Sequence, residues 1–443
     1  MDTINSYAAN ETEKKIIAAI DANREKLLAF ARKTASCAEP GFFEFETAAA
    51  VQQFLEGIGL QTETGLAGTG VRALQKGGQT GPRVTVIGEL DGIACPTHPG
   101  ANPKNGIAHA CGHNAHLTAM VGAAVALTVP EVAAQLCGEV DFFAVPAEEY
   151  VPVSVRQQLQ QERGVEFCSG KMELIRLGAF CNTDIALTTH VHMAPSQKDL
   201  LLGNVACNGC VCKRVVFRGK AAHAAAAPHA GVNALNAAGL ALSAIGLLRE
   251  TFQEKDTVRI HTNIIQGGTA LNVVPETVVM DAMVRACNLK ALESAAQQFD
   301  DACTHCAQAL GATAEITTYS GYLPVIPSPA HPAVIAAANA LGGRYSIEYT
   351  EPYMINTACT DVGDLTHLLP VVNFTHGGVA GDLHSADFTV TDEDTAYIMP
   401  AKMMALSAYH LLRDGAAAAK QTIESFTPVF TRESYVDKIR RQG

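Results

Sequence analysis

The stretch from Arg83 to Val145 limits the possible folds of this chain more than any other. "RVTVIGEL" (83–90) and "EVDFFAV" (139–145) are short apolar runs rich in branched or aromatic residues, each ending where polar residues begin, as buried strands do. Between them "NAHLTAMVGAAVAL" reads as a helix. Strand, helix and strand in that order predict an α/β sheet. The segment "HACGHNAH" (109–116) then falls at a loop and helix start beyond the C-terminal end of a strand, where open α/β sheets carry their sites.

The flanking sequence extends the pattern. Ile16, Ile17, Ile20, Leu27 and Leu28 recur at near-helical spacing, with Phe30 at the edge of the stripe, and predict one opening helix. A second carries Ala48, Val51, Phe54 and Leu55 after the turn "AEPG". From about Cys207 the texture changes: "CVCKRVVFRG", "RIHTNIIQGG" and "TVVMDAMVRA" are strand-like, while "NALNAAGLALSAIGLLRETF" and "LKALESAAQQFDDACTHCAQAL" are helical. Two helices and several strands in about 110 residues make a compact α+β insert of ordinary domain size. After "YSGYLPVIP" the α/β texture returns and ends in a helical region from Asp392 to Leu412. We therefore expect one domain from residues 1–206 plus 319–443, interrupted by another over 207–318. A chain of 443 residues is too long for one ordinary core, which agrees.

A formal net charge of -12 argues against nucleic acid or an anionic membrane as the main partner, since both demand a basic footprint. No apolar run is long enough to cross a bilayer, and "MDTINSYAANETEKK" lacks the features of a secretory leader, so the expected location is cytoplasmic. Thirteen scattered cysteines fit reduced thiols better than a disulfide framework.

Cys111 and His113, one residue apart, are spaced so that a loop can aim both at one ion. Alone, the pair reads better as a buried thiol beside a hydrogen-bonded histidine. The adjacent Glu148 and Glu149 in "PAEEY" shift the balance. Two like charges at the end of an apolar strand are unfavourable unless cations or shared protons compensate. A metal would compensate, with one carboxylate ligating and its neighbour acting as general base. His190 and His192 in "TTHVHMAP" and His384 in "DLHSADF" add imidazoles near predicted strand ends.

With these residues in view, the chain resembles the aminoacylase and metallocarboxypeptidase family of metal-dependent amidohydrolases, on the side of the p-aminobenzoyl-glutamate hydrolases and related dipeptidases. Auxin-conjugate and hippurate hydrolases are wider relatives. The similarity runs in order through "EPGFFEFETAAAVQQFLEGIGL", "GELDGI", "HACGHNAHLTAMVGAA", "PAEE", "TTHVHMAP", "FRGKAAHAAAAPHAGVNALNA", "GGTALNVVPETV", "TDVGD" and "HSADF". It implies a mixed-sheet catalytic domain holding two divalent ions, manganese or zinc, and an inserted ferredoxin-like α+β domain serving as dimerisation module and lid. It further implies Cys111, His113, Glu149, His190 and His384 as ligands, with His192 as the runner-up for His190. Glu148 matches the general base and Asp91 an aspartate that supports the ligands. Where other branches place a histidine ligand two residues before that aspartate, this chain has Glu89, a departure that agrees with the cysteine-type site. His109 and His116 are expected to cap the loop or pack behind the ligands.

In the insert, the resemblance matches His223 to a histidine that reaches the active site of the other protomer as oxyanion donor. Asn272 and Arg285 match residues offered to the substrate's amide oxygen and carboxylate, a task suited to the planar guanidinium. The implied substrate is a small N-acyl amino acid or dipeptide, and the implied assembly a homodimer. Two other readings stay open: the same scaffold acting on a carbamoyl or ureido compound, or a binding protein without turnover. Cys207, Cys210 and Cys212 with Cys303, His305 and Cys306 suggest a further zinc cluster, but the second group lies in a helical pattern and buried free cysteine is a common small hydrophobe. We expect no metal there.

Overall fold

A computed structural model describes residues 7–167, 169–192, 198–351 and 354–442. The chain divides into two compact units, one of Met1–Val205, Ile326–Met354 and Leu365–Arg432, the other of Ala206–Val325, Ile355–Asp364 and Glu433–Gly443.

The first unit is built on an eight-stranded mixed sheet in the order Thr62–Leu66, Gly70–Lys76, Cys137–Val145, Gln79–Glu89, Ile185–Val191, Val371–His376, Leu200–Leu202, Ile347–Tyr349. Its four central strands, from Cys137–Val145 to Val371–His376, are mutually parallel. Their C-terminal ends therefore share one edge, and every residue from Val84 to Glu89 is buried, as expected of a strand covered on both faces. The helix His113–Leu127 is apolar on all sides, and all 15 of its residues are buried. It packs on the strand Gln79–Glu89 and on the helix Met399–Leu412. Gly122 makes that second approach possible: a Cβ there would lie 2.5 Å from the Cβ of Ala401.

The opening segment corrects the expectation of one helix. It forms two, Glu11–Ala22 and Arg24–Ser36, because Asn23 leaves helical geometry and its side-chain amide donates to the carbonyl of Ala19. The first of these is secured by a capping box in which Asn10 and Glu13 each satisfy the other's backbone N–H.

The second unit is ferredoxin-like. Strand Ala206–Arg218, helix Ala234–Leu247, strands Arg259–Gln266 and Thr277–Ala286, helix Leu289–Ala309 and strand Thr313–Ser320 follow one another, and the strands form an antiparallel sheet with Ala206–Arg218 and Thr277–Ala286 at its centre. Along Thr277–Ala286 every second residue is buried, so Val278, Met280, Val284 and their neighbours meet Ala237, Ala241, Phe299 and Cys303 in one core. A short strand, Ile355–Cys359, adds in parallel to the start of Ala206–Arg218. The buried Tyr435 hydroxyl donates to Asp364 at 2.8 Å, tying the C-terminal helix into this unit. Among the described residues, no helix is long and apolar enough to cross a membrane.

Candidate metal centre

The shared edge of the four parallel strands gathers chemistry from distant parts of the first unit. Asp91 follows the strand ending at Glu89; Glu148 and Glu149 follow the one ending at Val145; His190 closes Ile185–Val191. Cys111 lies in the loop that turns into the helix at His113, through a left-handed Gly112 at φ 80°. That glycine lies against the Val191 side chain, where an added Cβ would stand 2.8 Å from it.

Asp91 is fully buried and organises its neighbours. The Glu149 backbone N–H donates to its Oδ2 at 2.8 Å, and His113 Nδ1 lies 2.9 Å from its carbonyl oxygen and 3.2 Å from Oδ1. His113 thus carries a proton on Nδ1, and its Nε2 faces inward without a hydrogen-bond partner among the described residues. Glu148 Oε2 lies 3.7 Å from that nitrogen. Cys111 Sγ is 3.5 Å from His190 Nε2 and 3.3 Å from His384 Nε2. His384 Nε2 is also 3.1 Å from Glu149 Oε1, yet that oxygen makes no aligned hydrogen bond. Side chains of these types drawn this close together converge on common points, as ligands do around an ion. Cys111, His113 and Glu149 offer atoms all within 4.8 Å of one another, and so do Glu89, His113, His116 and His190.

The electrostatics agree with a site arranged for cations. Burial, and then the Glu149 carboxylate, push the Cys111 thiol well above its usual range. Burial opposes a charge on His113, but the Glu89 carboxylate, Cys111 and the hydrogen bond to Asp91 together outweigh it and raise that imidazole well above its ordinary value. Burial, reinforced by neighbouring imidazoles, lowers His116 and His190. A divalent ion would displace a proton from a thiol and a histidine held in this state, because both ligate in their deprotonated forms. The residues present therefore fit a metal.

His384 has φ 63°, a left-handed conformation that costs a non-glycine residue energy, and its N–H donates to the Ala110 carbonyl, anchoring it to the cysteine loop. His192 points elsewhere: its ring nitrogens contact Thr375 Oγ1 at 2.8 Å and the Lys198 carbonyl at 2.9 Å. Of the two histidines in "HVH", His190 is the one at the cluster. His116 Nδ1 contacts Glu89 Oε2 at 2.8 Å, behind the inward-facing donors. Among the described residues the ring of His109 has no hydrogen-bond partner, so it packs rather than caps the loop; burial pushes its pKa down to about 3.

Three further buried groups at this end escaped the sequence reading. Lys171 Nζ donates to Glu89 Oε1 at 2.7 Å. His376 closes a parallel strand, its pKa pushed by burial to about 3. Glu44 receives the Thr69 hydroxyl at 2.5 Å and the Ala147 N–H at 2.8 Å, bracing the turn that precedes Glu148. No local pattern marks Lys171 or Glu44, since their partners lie far along the chain.

Burial, then the charge of Asp91, push Glu44 from 4.5 up to about 8. The native state therefore holds this proton more tightly than the unfolded chain. The associated stability is complete below pH 4.5 and is lost as pH rises towards about 8. Glu44→Gln can accept the Ala147 N–H on its amide oxygen and donate its amide N–H to the Thr69 hydroxyl, without a titrating group. In chelator-treated protein it should raise stability at pH 8–9 by on the order of a few kcal/mol and leave it nearly unchanged at pH 5. Equal melting shifts at both pH values would contradict this.

In the second unit, His223 Nδ1 accepts the N–H groups of Ala225 and Ala226, and Ala224 N–H donates to the Asn272 carbonyl at 3.0 Å. His223 and Asn272 thus share a pair of exposed, cross-bonded loops. Arg285 lies on Thr277–Ala286 in register with Cys210, and its Nε is buried without a hydrogen-bond partner. Cys303 sits in the helix-to-sheet core, and among the described residues no candidate metal group includes Cys207, Cys210, Cys212, Cys303, His305 or Cys306.

Residues 208–309 match the family described as the peptidase dimerisation domain. The chain is 33% identical over 276 residues to the Xaa-Arg dipeptidase of Mus musculus, a match covering 60% of this chain and 57% of that protein. It is 30% identical over 278 residues to one of the p-aminobenzoyl-glutamate hydrolase polypeptides of Escherichia coli (strain K12), covering 60% of this chain and 52% of that one. The chain thus spans between half and two thirds of the length of these relatives. A solved Bacillus subtilis structure, described as a dinuclear metal-binding peptidase of the M20 family, shares the fold: TM-score 0.65 at 22% identity, covering 88% of this chain and 98% of that one.

Proposed function

We propose, from the premise that the chain belongs to the M20 family of metal-dependent hydrolases, that it hydrolyses the amide bond of an N-acyl or N-aroyl amino acid or of a dipeptide. The observation that carries this reading is the convergence of Cys111, His113, Glu149, His190 and His384, with the His113 Nε2 and Glu149 Oε1 atoms buried and without a hydrogen-bond partner among the described residues and Glu148 beside them. These five residues would hold two divalent ions, manganese or zinc, which when bound would acidify a water and polarise the amide carbonyl.

The protein's own groups supply the rest. The Glu148 carboxylate takes the proton of the attacking water and returns it to the leaving amine. Asp91 holds His113 in the tautomer that ligates and steadies the Glu149 backbone. The resemblance in sequence supports assigning His223 to the oxyanion, Asn272 to the amide oxygen and Arg285 to the substrate carboxylate. The dimerisation-domain match supports a homodimer.

The test is release of free amine from a panel of N-acyl amino acids, p-aminobenzoyl-glutamate and dipeptides, with manganese-loaded protein beside a chelated control. Turnover abolished by the chelator is the expected result. Turnover of carbamoyl or ureido compounds alone would reassign the amide, and turnover indifferent to the chelator would refute the metal reading.

A further inference from the structure

Glu89 presents a problem of charge. With His113, His116 and His190 it forms a group whose donor atoms lie within 4.8 Å of one another, so spacing alone would make it a metal site. Its hydrogen bonds argue otherwise. Glu89 Oε1 accepts from Lys171 Nζ at 2.7 Å and Oε2 accepts from His116 Nδ1 at 2.8 Å. His116 Nε2 in turn accepts the Val191 N–H at 3.2 Å, which fixes the proton on Nδ1 and uses the other lone pair. The imidazole therefore has no lone pair to offer an ion.

Lys171 is placed there by the fold. It is the second residue of the helix Gly170–Leu177, and it is fully buried. Gly170 lets the start of that helix press on the end of the strand Cys137–Val145: a Cβ at residue 170 would stand 1.7 Å from the Pro146 carbonyl oxygen, and the Gly170 N–H donates to Ala147 O at 2.8 Å. A buried ammonium needs an anionic partner, and Glu89 is that partner.

We propose that Lys171 is a built-in counter-ion that withholds Glu89 from metal, confining the ions to the side of the site lined by Cys111, Glu149 and His384. A divalent ion approaching Glu89 would meet a fixed positive charge already satisfying that carboxylate. Lys171 is thus a positioning residue: it decides which carboxylates of a crowded site act as ligands. The inference rests on the metal-dependent reading above.

The experiment compares metal content by elemental analysis, and the visible spectrum of cobalt(II)-substituted protein, for wild type, E89Q, K171M and the double variant. E89Q should bind two ions per chain with an unchanged cobalt spectrum and an affinity within roughly tenfold of wild type, since Glu89 is not a ligand. K171M should free Glu89 to coordinate, altering the cobalt spectrum and raising metal affinity by roughly tenfold or more. The double variant should cancel both effects. Loss of an ion in E89Q, or a cobalt spectrum in K171M identical to wild type, overturns the proposal. Should K171M fail to fold, the E89Q arm decides it. Absence of bound metal from wild type itself would overturn the metal reading first, and this inference with it.

Discussion

Glu148→Gln is expected to lower turnover by about 10²- to 10⁴-fold while leaving metal content unchanged. Glutamine keeps the shape of the side chain but cannot accept and return a proton. Glu148 is 5% exposed, and its Oε2 lies 3.7 Å from His113 Nε2, close enough to serve a water held at the same donors. Because Asp91 braces the backbone of Glu149 and not the Glu148 side chain, the substitution should leave the ligand framework standing. Metal content by elemental analysis and substrate affinity should therefore match wild type. Near-normal turnover would remove Glu148 from the mechanism, whereas loss of metal would make it a ligand.

Cys111→Ala is expected to abolish tight binding of at least one ion. The sulfur stands between two imidazoles, 3.5 Å from His190 and 3.3 Å from His384, so one truncation strips the shared point of contact from both. Asp91→Ala provides the internal scale. It removes a group that orients His113 and Glu149 without ligating, a change that typically costs about 10- to 100-fold in metal affinity. Cys111→Ala should exceed that loss. Equilibrium dialysis of the two variants beside wild type measures both, and a smaller effect at Cys111 than at Asp91 would contradict the ligand assignment.

What could be read from the sequence was whatever its local pattern encodes. The strands Gln79–Glu89 and Cys137–Val145 and the helix between them announced themselves as apolar runs with sharp polar ends, because parallel strands buried on both faces need continuous hydrophobic sequence. The insert's order of strands and helices was equally visible, as its alternating burial shows. The break at Asn23 was not, since it depends on one side chain capping the turn before it. Lys171 was hidden for a different reason: a lysine in a helical stretch ordinarily means solvent, and its partner lies 82 residues away. The choice between His190 and His192 could not come from alternation, which places both on one face; it turns on where the strand Ile185–Val191 ends.

The contact between Cys111 and His384 spans 273 residues of chain, and most of the second unit is threaded between them. A nascent polypeptide can fold the strands around Cys111 long before His384 leaves the ribosome. Loop-closure entropy opposes so distant a contact until the intervening chain has condensed. Capture of the full metal complement would then be among the last events of maturation. Metal uptake during refolding can thus serve as a clock for completion of the molecule, lagging behind the recovery of secondary structure.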